Sequence, residues 1–159
     1  MDMQGVVEAI FIVAAGGQPM EAVTEAIALE GCGLRGDRYC NRTGYWTGVD
    51  ECQVTLIQGE HLDEIFRLTG IHVHDGEHRR NIVTRGIQLE QLRGRRFQVG
   101  EAILEYDRPR PPCSYVESIT EPGMTRALMG RGGICARVVH GGTIRVGDPV
   151  VALKERTAP

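Results

Sequence analysis

Cys113 ends the stretch YDRPRPPC, directly behind Pro111 and Pro112, with Arg108 and Arg110 just upstream. A cysteine acts as a nucleophile, a sulfur carrier or a soft-metal ligand only as the thiolate. Nearby arginines favour that charged form, and the two prolines make the backbone before the sulfur stiff and extended. This setting predicts a reactive sulfur at a defined place on a loop. The competing interpretation is an inert cysteine, packed at the end of a strand.

A second group of residues with chemical potential is the run Arg79, Arg80 and Asn81. Adjacent guanidinium groups repel each other unless an anion or a carboxylate lies between them. Arginine is also the side chain best suited to bidentate contacts with phosphate or carboxylate. The run therefore indicates either an anion-binding site or a surface ion pair with a carboxylate such as Asp75 or Glu77.

Three histidines, His72, His74 and His78, precede those arginines. The first two would share one face of a strand, which invites a metal site. Gly76 interrupts the element before His78, so the stretch is predicted to be a solvated loop.

The glycine-rich stretch GCGLRGDRY, residues 31–39, is a third candidate. Its glycines allow backbone amides to turn toward an anion, and Arg35 and Arg38 add positive charge that Asp37 would orient. No Gly-Lys-Ser/Thr follows, so this is not a phosphate loop of the Walker type. A plain glycine turn with an Asp–Arg pair is an equally weighted interpretation.

The other cysteines, Cys32, Cys40, Cys52 and Cys135, do not have the spacing of a zinc site. Cys135 lies among apolar residues and is predicted to be buried and structural. An odd number of scattered cysteines, without an export signal at the start, favours reduced thiols and a cytoplasmic location.

The totals exclude several classes of protein. The 159 residues fit one domain, with a core over about residues 6–151 and a loose tail over 152–159. A net charge of −3 gives no general attraction to nucleic acid. No run of apolar residues is long enough for a transmembrane helix, so no membrane association is expected.

Short β-rich segments dominate the rest of the chain. Strands are predicted at 6–13, 23–30, 52–58 and 80–86. Two further strand segments over 95–107 join at Gly100, and the C-terminal part is predicted to form a hairpin across Gly141 and Gly142 followed by a strand. Helices are predicted at 59–70, with Gly70 as the C-cap, and at 124–130. The pattern predicts a mainly β fold, a mixed and largely antiparallel β-barrel with a few short helices.

Four stretches taken in order, GLRGDRY, TLIQGEHLDEI, HRRNIVTRGIQLEQLRGRRFQVGEAILEYDRPRPPC and GGICARVVHGGTIRVGDPV, strongly resemble a stand-alone MOSC domain. This is the module named for the C-terminal part of molybdenum cofactor sulfurases. The resemblance runs from about Val6 to Val151 and implies the MOSC type of β-barrel.

The resemblance implies two roles for Cys113. It would carry sulfur as a persulfide during maturation of the molybdenum cofactor, or it would ligate molybdenum in a pterin cofactor, as in the related amidoxime-reducing enzymes. Arg79 and Asn81 match basic RxN positions that contact the cofactor, and Arg35 and Arg38 are looser matches. Arg108 and Arg110 complete the predicted cofactor-binding set beside Cys113.

The chain also departs from those relatives. The amidoxime-reducing enzymes are longer at the N-terminus and have Asn-Arg, not Pro-Pro, before the cysteine, so a transiently bound molybdopterin-type cofactor is an open alternative. The lyase half of full sulfurases is absent and no lysine stands out, so pyridoxal phosphate is not expected. The implied partners are a cofactor or sulfur-donor protein, or an electron-transfer partner. A non-catalytic barrel that binds an anionic ligand or another protein is the alternative function.

Overall fold

The computed structural model describes residues 3–153, and it is mainly β. The strands are β1 (Gln4–Ile12), β2 (Glu21–Val23), β3 (Glu25–Leu29), β4 (Gly33–Leu34), β5 (Val54–Gln58), β6 (Ile82–Arg85), β7 (Arg96–Val99), β8 (Ala102–Pro109), β9 (Ile134–His140), β10 (Gly142–Arg145) and β11 (Pro149–Ala152). The helices are α1 (Arg38–Asn41), α2 (Gly59–Thr69), α3 (Ser114–Ser118) and α4 (Met124–Leu128), and a 3-10 turn covers Leu89–Leu92. Residues 154–159 of the predicted tail lie outside the described part.

Seven strands close into a barrel in the order β11-β7-β8-β9-β5-β6-β1, because β1 also pairs with β11. Closure leaves no edge strand in the ring. The pairs are antiparallel except β5–β6, whose parallel pairing follows from the crossover through α2. The predicted mixed, largely antiparallel barrel is therefore confirmed.

The barrel interior is filled by alternate residues of these strands, since successive side chains of a strand point to opposite faces. Phe97, Leu104, Leu56 and Ile134 are fully buried there. A second apolar cluster lies under α2 and α4. Burying one such side chain contributes about 1.5–3 kcal/mol, so these two clusters hold the sheet and its helices together.

Helix α2 matches its prediction closely. Leu62 and Ile65 are buried on one face of the helix, at the spacing that places side chains on the same side. Gly70 ends the helix in the left-handed conformation with φ 73° and donates its N–H to the Phe66 carbonyl, as an αL cap does. No helix within residues 3–153 is long and apolar enough to cross a membrane.

Two predicted elements are wrong in detail. The strand expected over 23–30 breaks at Thr24, because β2 pairs with β1 of the barrel whereas β3 pairs with β10 and β4 in a separate sheet. The hairpin expected across Gly141 and Gly142 does not form, since β9 pairs with β5 and β8. A Cβ on Gly142 would lie 2.6 Å from the Glu101 carbonyl oxygen, so these glycines permit a tight change of sheet.

Candidate functional site

A cavity of about 210 Å3 lies where the loop before β6 meets the end of β8. Arg38, Arg79, Arg80, Arg110 and Cys113 all line it, together with a group of aromatic side chains. Arg79 and Cys113 are more than thirty residues apart in the sequence, so only the fold brings them to the same cavity.

Cys113 directly precedes α3, and its free thiol is half-buried. The Cys113 carbonyl accepts hydrogen bonds from the Val116 N–H at 3.2 Å and from the Thr125 hydroxyl at 3.0 Å. A Cβ on Gly132 would lie 2.3 Å from the Arg110 carbonyl oxygen, so this glycine admits the loop carrying the two prolines. The sulfur is therefore held on a constrained backbone at the cavity wall.

Arg79 has φ 66°, a left-handed backbone conformation that is uncommon outside glycine and is concentrated at functional sites. Its N–H donates to the Gly76 carbonyl at 2.9 Å, and its guanidinium donates to the Gln18 carbonyl. Arg38 Nη2 donates to the Arg79 carbonyl at 2.9 Å. This tight turn presents the Arg79 side chain to the cavity.

Arg80 is buried, and among the described residues its guanidinium donates only to backbone carbonyls. Its Nε donates to Gly132 at 2.6 Å, and its Nη2 donates to Arg110 at 3.1 Å. These bonds tie the loop before β6 to the segment that follows β8 and to the loop before β9. They also leave the positive charge of Arg80 facing the cavity.

The charges around the cavity do not balance. Arg38 pairs with Asp37 at 3.2 Å and Arg110 pairs with Asp50 at 3.0 Å. Within residues 3–153, no carboxylate lies within 4.0 Å of the Arg79 or Arg80 guanidinium. Burial is the main cause that lowers the pKa of both groups, and nearby arginines lower it further. Burying an unpaired charge is costly, so this region is suited to an anion.

Arg110 differs from those two arginines because acidic groups surround it. Burial acts to lower the pKa of Arg110, but nearby ionisable groups, Tyr39, Cys135 and Asp50 among them, outweigh burial and raise it. The positive charge of Arg110 is therefore secure, and Asp50 is its carboxylate partner at the cavity.

His78 lies behind the arginines, fully buried. Its Nδ1 accepts the Arg80 N–H at 2.9 Å, which fixes the turn. Burial lowers the pKa of His78 to about 3, with help from Arg80, so the ring is neutral. The solvated loop predicted for the three histidines is wrong at this position. His72 and His74 are exposed beside Phe66, and no metal-binding cluster of His, Cys, Asp or Glu exists within residues 3–153.

Three predicted cofactor contacts lie elsewhere. Asn81 is buried in the barrel wall. Its amide oxygen accepts the Thr55 N–H at 3.0 Å and its amide nitrogen donates to the Phe11 carbonyl at 3.1 Å, so it joins β5 and β1. Arg35 is exposed away from the cavity. Arg108 pairs with Asp107 at 2.6 Å and Asp50 at 2.5 Å without lining the cavity.

The structure adds residues that sequence reasoning did not place in the site. Tyr45 and Tyr115 stack with ring centroids 3.8 Å apart and planes 10° from parallel, and Trp46 packs edge-on against Tyr45. Asp50 and Tyr39 also line the cavity. Two members of this group had a positional signal: Tyr115 is two residues after Cys113, and Tyr39 ends the glycine-rich stretch 31–39. Tyr45, Trp46 and Asp50 depend on the path of the 43–51 segment.

The remaining cysteines require a correction. Cys32 and Cys40 form a disulfide, so the expectation of reduced thiols is wrong for this pair, whose Cα atoms lie 4.8 Å apart and within bonding reach. Cys52 and Cys135 are free and buried, as predicted for Cys135. Burial raises the pKa of Cys52 well above its ordinary value.

Comparison with known proteins gives a family and a set of folds. The family model described as MOSC domain matches residues 43–151, and no curated protein matches the chain. The crystal structure of the YuaD protein from Bacillus subtilis is similar with a TM-score of 0.78 and 18% identity, over 96% of this chain and 97% of that one.

Two YiiM structures are also similar. The protein from Geobacillus stearothermophilus has a TM-score of 0.71 and 19% identity, over 95% of this chain and 75% of that one. The protein from Escherichia coli has a TM-score of 0.68 and 18% identity, over 99% of this chain and 72% of that one. At these identities the likeness concerns the fold.

Proposed function

The chain belongs to the MOSC domain family, which is associated with the molybdenum cofactor, and on that premise we propose that it binds a molybdopterin-type cofactor in the arginine-lined cavity. One observation carries the proposal. Arg79 and Arg80, two buried cations without a carboxylate partner within residues 3–153, line the same cavity as the Cys113 thiol.

The residues present fit such a group. A phosphate carries two negative charges near neutral pH, and two uncompensated guanidinium groups match that charge with directed donors. A cysteine thiolate is a soft ligand, and it suits a soft metal centre. Arg79 and Arg80 would hold the anionic end, with Arg110 and Arg38 beside them, and Cys113 would meet the metal or its sulfur.

Cys113 supplies one of two chemistries in this proposal. As a carrier, its thiolate attacks the outer sulfur of a persulfide on a donor protein: Cys113–S⁻ and R–S–SH give Cys113–S–SH and R–S⁻. As a ligand, Cys113 would hold the metal of a cofactor that would supply two-electron reduction. The overall reaction would consume an N-hydroxylated compound, two electrons from an external electron-transfer protein and two protons, and would yield the amine and water.

Native mass spectrometry of protein expressed in a host that makes the cofactor tests the proposal. A mass increment of the cofactor with molybdenum, lost in Cys113→Ala, supports the ligand role. A sulfur increment on the Cys113 peptide after incubation with a persulfide donor supports the carrier role. The matched control is Cys135→Ala, a free thiol outside the cavity. Protein without either increment would be a non-catalytic module, and the proposal would fail.

A further inference from the structure

Residues 44–50 form a turn at the mouth of the cavity, here named the lid segment. Before it, Thr43 is anchored, since its N–H donates to the Arg38 carbonyl at 3.0 Å and its carbonyl accepts the Gly16 N–H at 3.0 Å. Inside the lid segment the backbone hydrogen bonds stay local, for example from the Asp50 N–H to the Trp46 carbonyl at 2.9 Å. Side chains therefore provide its polar and aromatic links to the barrel.

Two side-chain links cover the mouth. Tyr45 stacks on Tyr115, two residues beyond Cys113. Asp50 reaches across to β8, with one carboxylate oxygen 2.5 Å from Arg108 and the other 3.0 Å from Arg110. Contacts this few, made from the lid segment by the exposed side chains of Tyr45 and Asp50, characterise segments that open at low cost.

The Asp50–Arg110 pair is unequal. The Arg110 side chain is 8% exposed, whereas that of Asp50 is 51% exposed. Within residues 3–153, Asp50 is the only carboxylate paired with the Arg110 guanidinium. A buried cation whose counter-ion lies on an exposed turn is a place where an incoming anion can take over that role.

The volume of the cavity points the same way. Its 210 Å3 is below the roughly 300–1,000 Å3 typical of small-molecule sites. Because the lid segment contributes Tyr45, Trp46 and Asp50 to the lining, moving it enlarges the site on one side only and leaves the arginines in place.

We propose that Asp50 is a displaceable latch, which holds the lid segment over Cys113 and competes with the anionic group of the ligand for Arg110. The proposal rests on the function proposed above only in treating the cavity as an anion site. The ligand class is a molecule with a dianionic group such as a phosphate monoester. Such a group satisfies Arg79 and Arg80 and can replace the single charge of Asp50, whereas a neutral molecule leaves the latch closed.

Asp50→Asn tests the latch, because asparagine keeps the size and an acceptor for Arg110 but removes the charge. Glu51→Gln is the matched control. It removes the same charge one residue away, but Glu51 pairs with Arg42 and not with Arg110. The readout is the alkylation rate of Cys113 in ligand-free protein by iodoacetamide, a neutral reagent, mapped by peptide.

We expect Cys113 to react roughly fivefold faster in Asp50→Asn than in wild type, because an ion pair with one exposed partner contributes up to about 1 kcal/mol. Glu51→Gln should react at the wild-type rate. Salt at about 1 M should accelerate wild type similarly, because it screens the pairs, and should leave Asp50→Asn unaffected. Equal rates in all three proteins, or equal acceleration in both variants, overturn the latch.

Titration with inorganic phosphate separates this inference from the proposed function. Asp50→Asn should bind phosphate roughly fivefold more tightly than wild type, because the competing carboxylate is gone. Phosphate binding that is unchanged by the substitution contradicts the latch while leaving the anion site standing. A protein that retains no cofactor contradicts the proposed function, and the alkylation rates still decide the latch.

Discussion

The two ends of β6 place arginines in opposite settings. Just before the strand, Arg79 and Arg80 are buried without carboxylates among the described residues, and burial lowers the pKa of each. At its far end, Arg85 is half-buried, with 38% of its side chain exposed, and pairs with Glu8 and Asp63, both at 2.8 Å. The bond to Glu8 is the main cause that raises the pKa of Arg85. The arginine residue type alone therefore does not mark a candidate site; burial without a compensating carboxylate is what distinguishes Arg79 and Arg80 from Arg85.

The largest expected effect concerns His78, which supports the cavity end of β6. Its pKa of about 3 in the folded protein is below the ordinary value near 6.5, so the unfolded chain binds more protons between these values. The contribution of neutral His78 to the free energy of unfolding is therefore fully present above about pH 6.5 and is lost as the pH falls toward 3. The slope is about 1.4 kcal/mol per pH unit and the total is on the order of 5 kcal/mol.

Urea unfolding at several pH values between 6.5 and 4.5 measures that slope. His78→Leu should flatten it, although the variant is less stable at neutral pH because Arg80 loses its acceptor. His140→Leu, a change at an exposed histidine without an ion-pair partner among the described residues, is the control variant. An unchanged slope in His78→Leu would show that other groups cause the acid loss.

The next effect is on ligand binding at Arg79. Arg79→Ala should reduce affinity for molybdopterin or a phosphate-bearing mimic tenfold to a hundredfold, since a charge-assisted contact is worth roughly 1.5–3 kcal/mol. The melting temperature of the ligand-free protein should stay the same or rise, because an unpaired buried charge is removed. Thermal melts with and without ligand measure both quantities.

Arg85→Ala is the matched comparison for that experiment and should leave the ligand-induced shift intact. A variant Arg79→Ala that melts several degrees lower without ligand, yet keeps the full ligand-induced shift, would rule out Arg79 as a ligand contact. The two ends of β6 would then not differ in function.

Cys113 should be alkylated about tenfold or more faster than Cys52 or Cys135 at neutral pH. The reason is access: Cys113 is half-buried at the cavity, whereas Cys52 and Cys135 are buried and Cys32 and Cys40 are bonded to each other. Time-resolved peptide mapping under native conditions measures the rates. Faster labelling of Cys52 or Cys135 would move the reactive thiol away from the arginines.

The smallest effect is expected at the outer end of β6. Asp63→Asn removes one of the two carboxylates of Arg85 and should cost less than about 1 kcal/mol, since exposed ion pairs are screened by solvent. The loss should shrink further in high salt. Chemical denaturation at low and high ionic strength checks this, and a loss of several kcal/mol would show that the outer network supports the barrel.

Local patterns were sufficient for the parts that depend on neighbours along the chain. A run of apolar and β-branched residues indicated β1, and two strand segments joined at Gly100 indicated β7 and β8. The spacing of apolar residues in α2, with Gly70 behind it, indicated that helix and its end. The cysteine behind two prolines and the adjacent arginines were visible as chemical features, because residue type and immediate context determine charge and backbone stiffness.

Only the tertiary structure decided which of those features meet. Asn81 directly follows the arginines in sequence, yet its side chain points into the barrel wall, because successive side chains of an extended segment point to opposite faces. Arg110 is distant in sequence, but the path of β8 brings it beside Arg80. The Cys32–Cys40 disulfide, the burial of His78 and the position of Asp50 over the cavity likewise depend on how loops cross between strands. The sequence by itself determined a mainly β chain with a candidate thiol and candidate cations. Charge compensation and burial, which separate Arg79 from Arg85, are properties of three-dimensional neighbours and came from the fold.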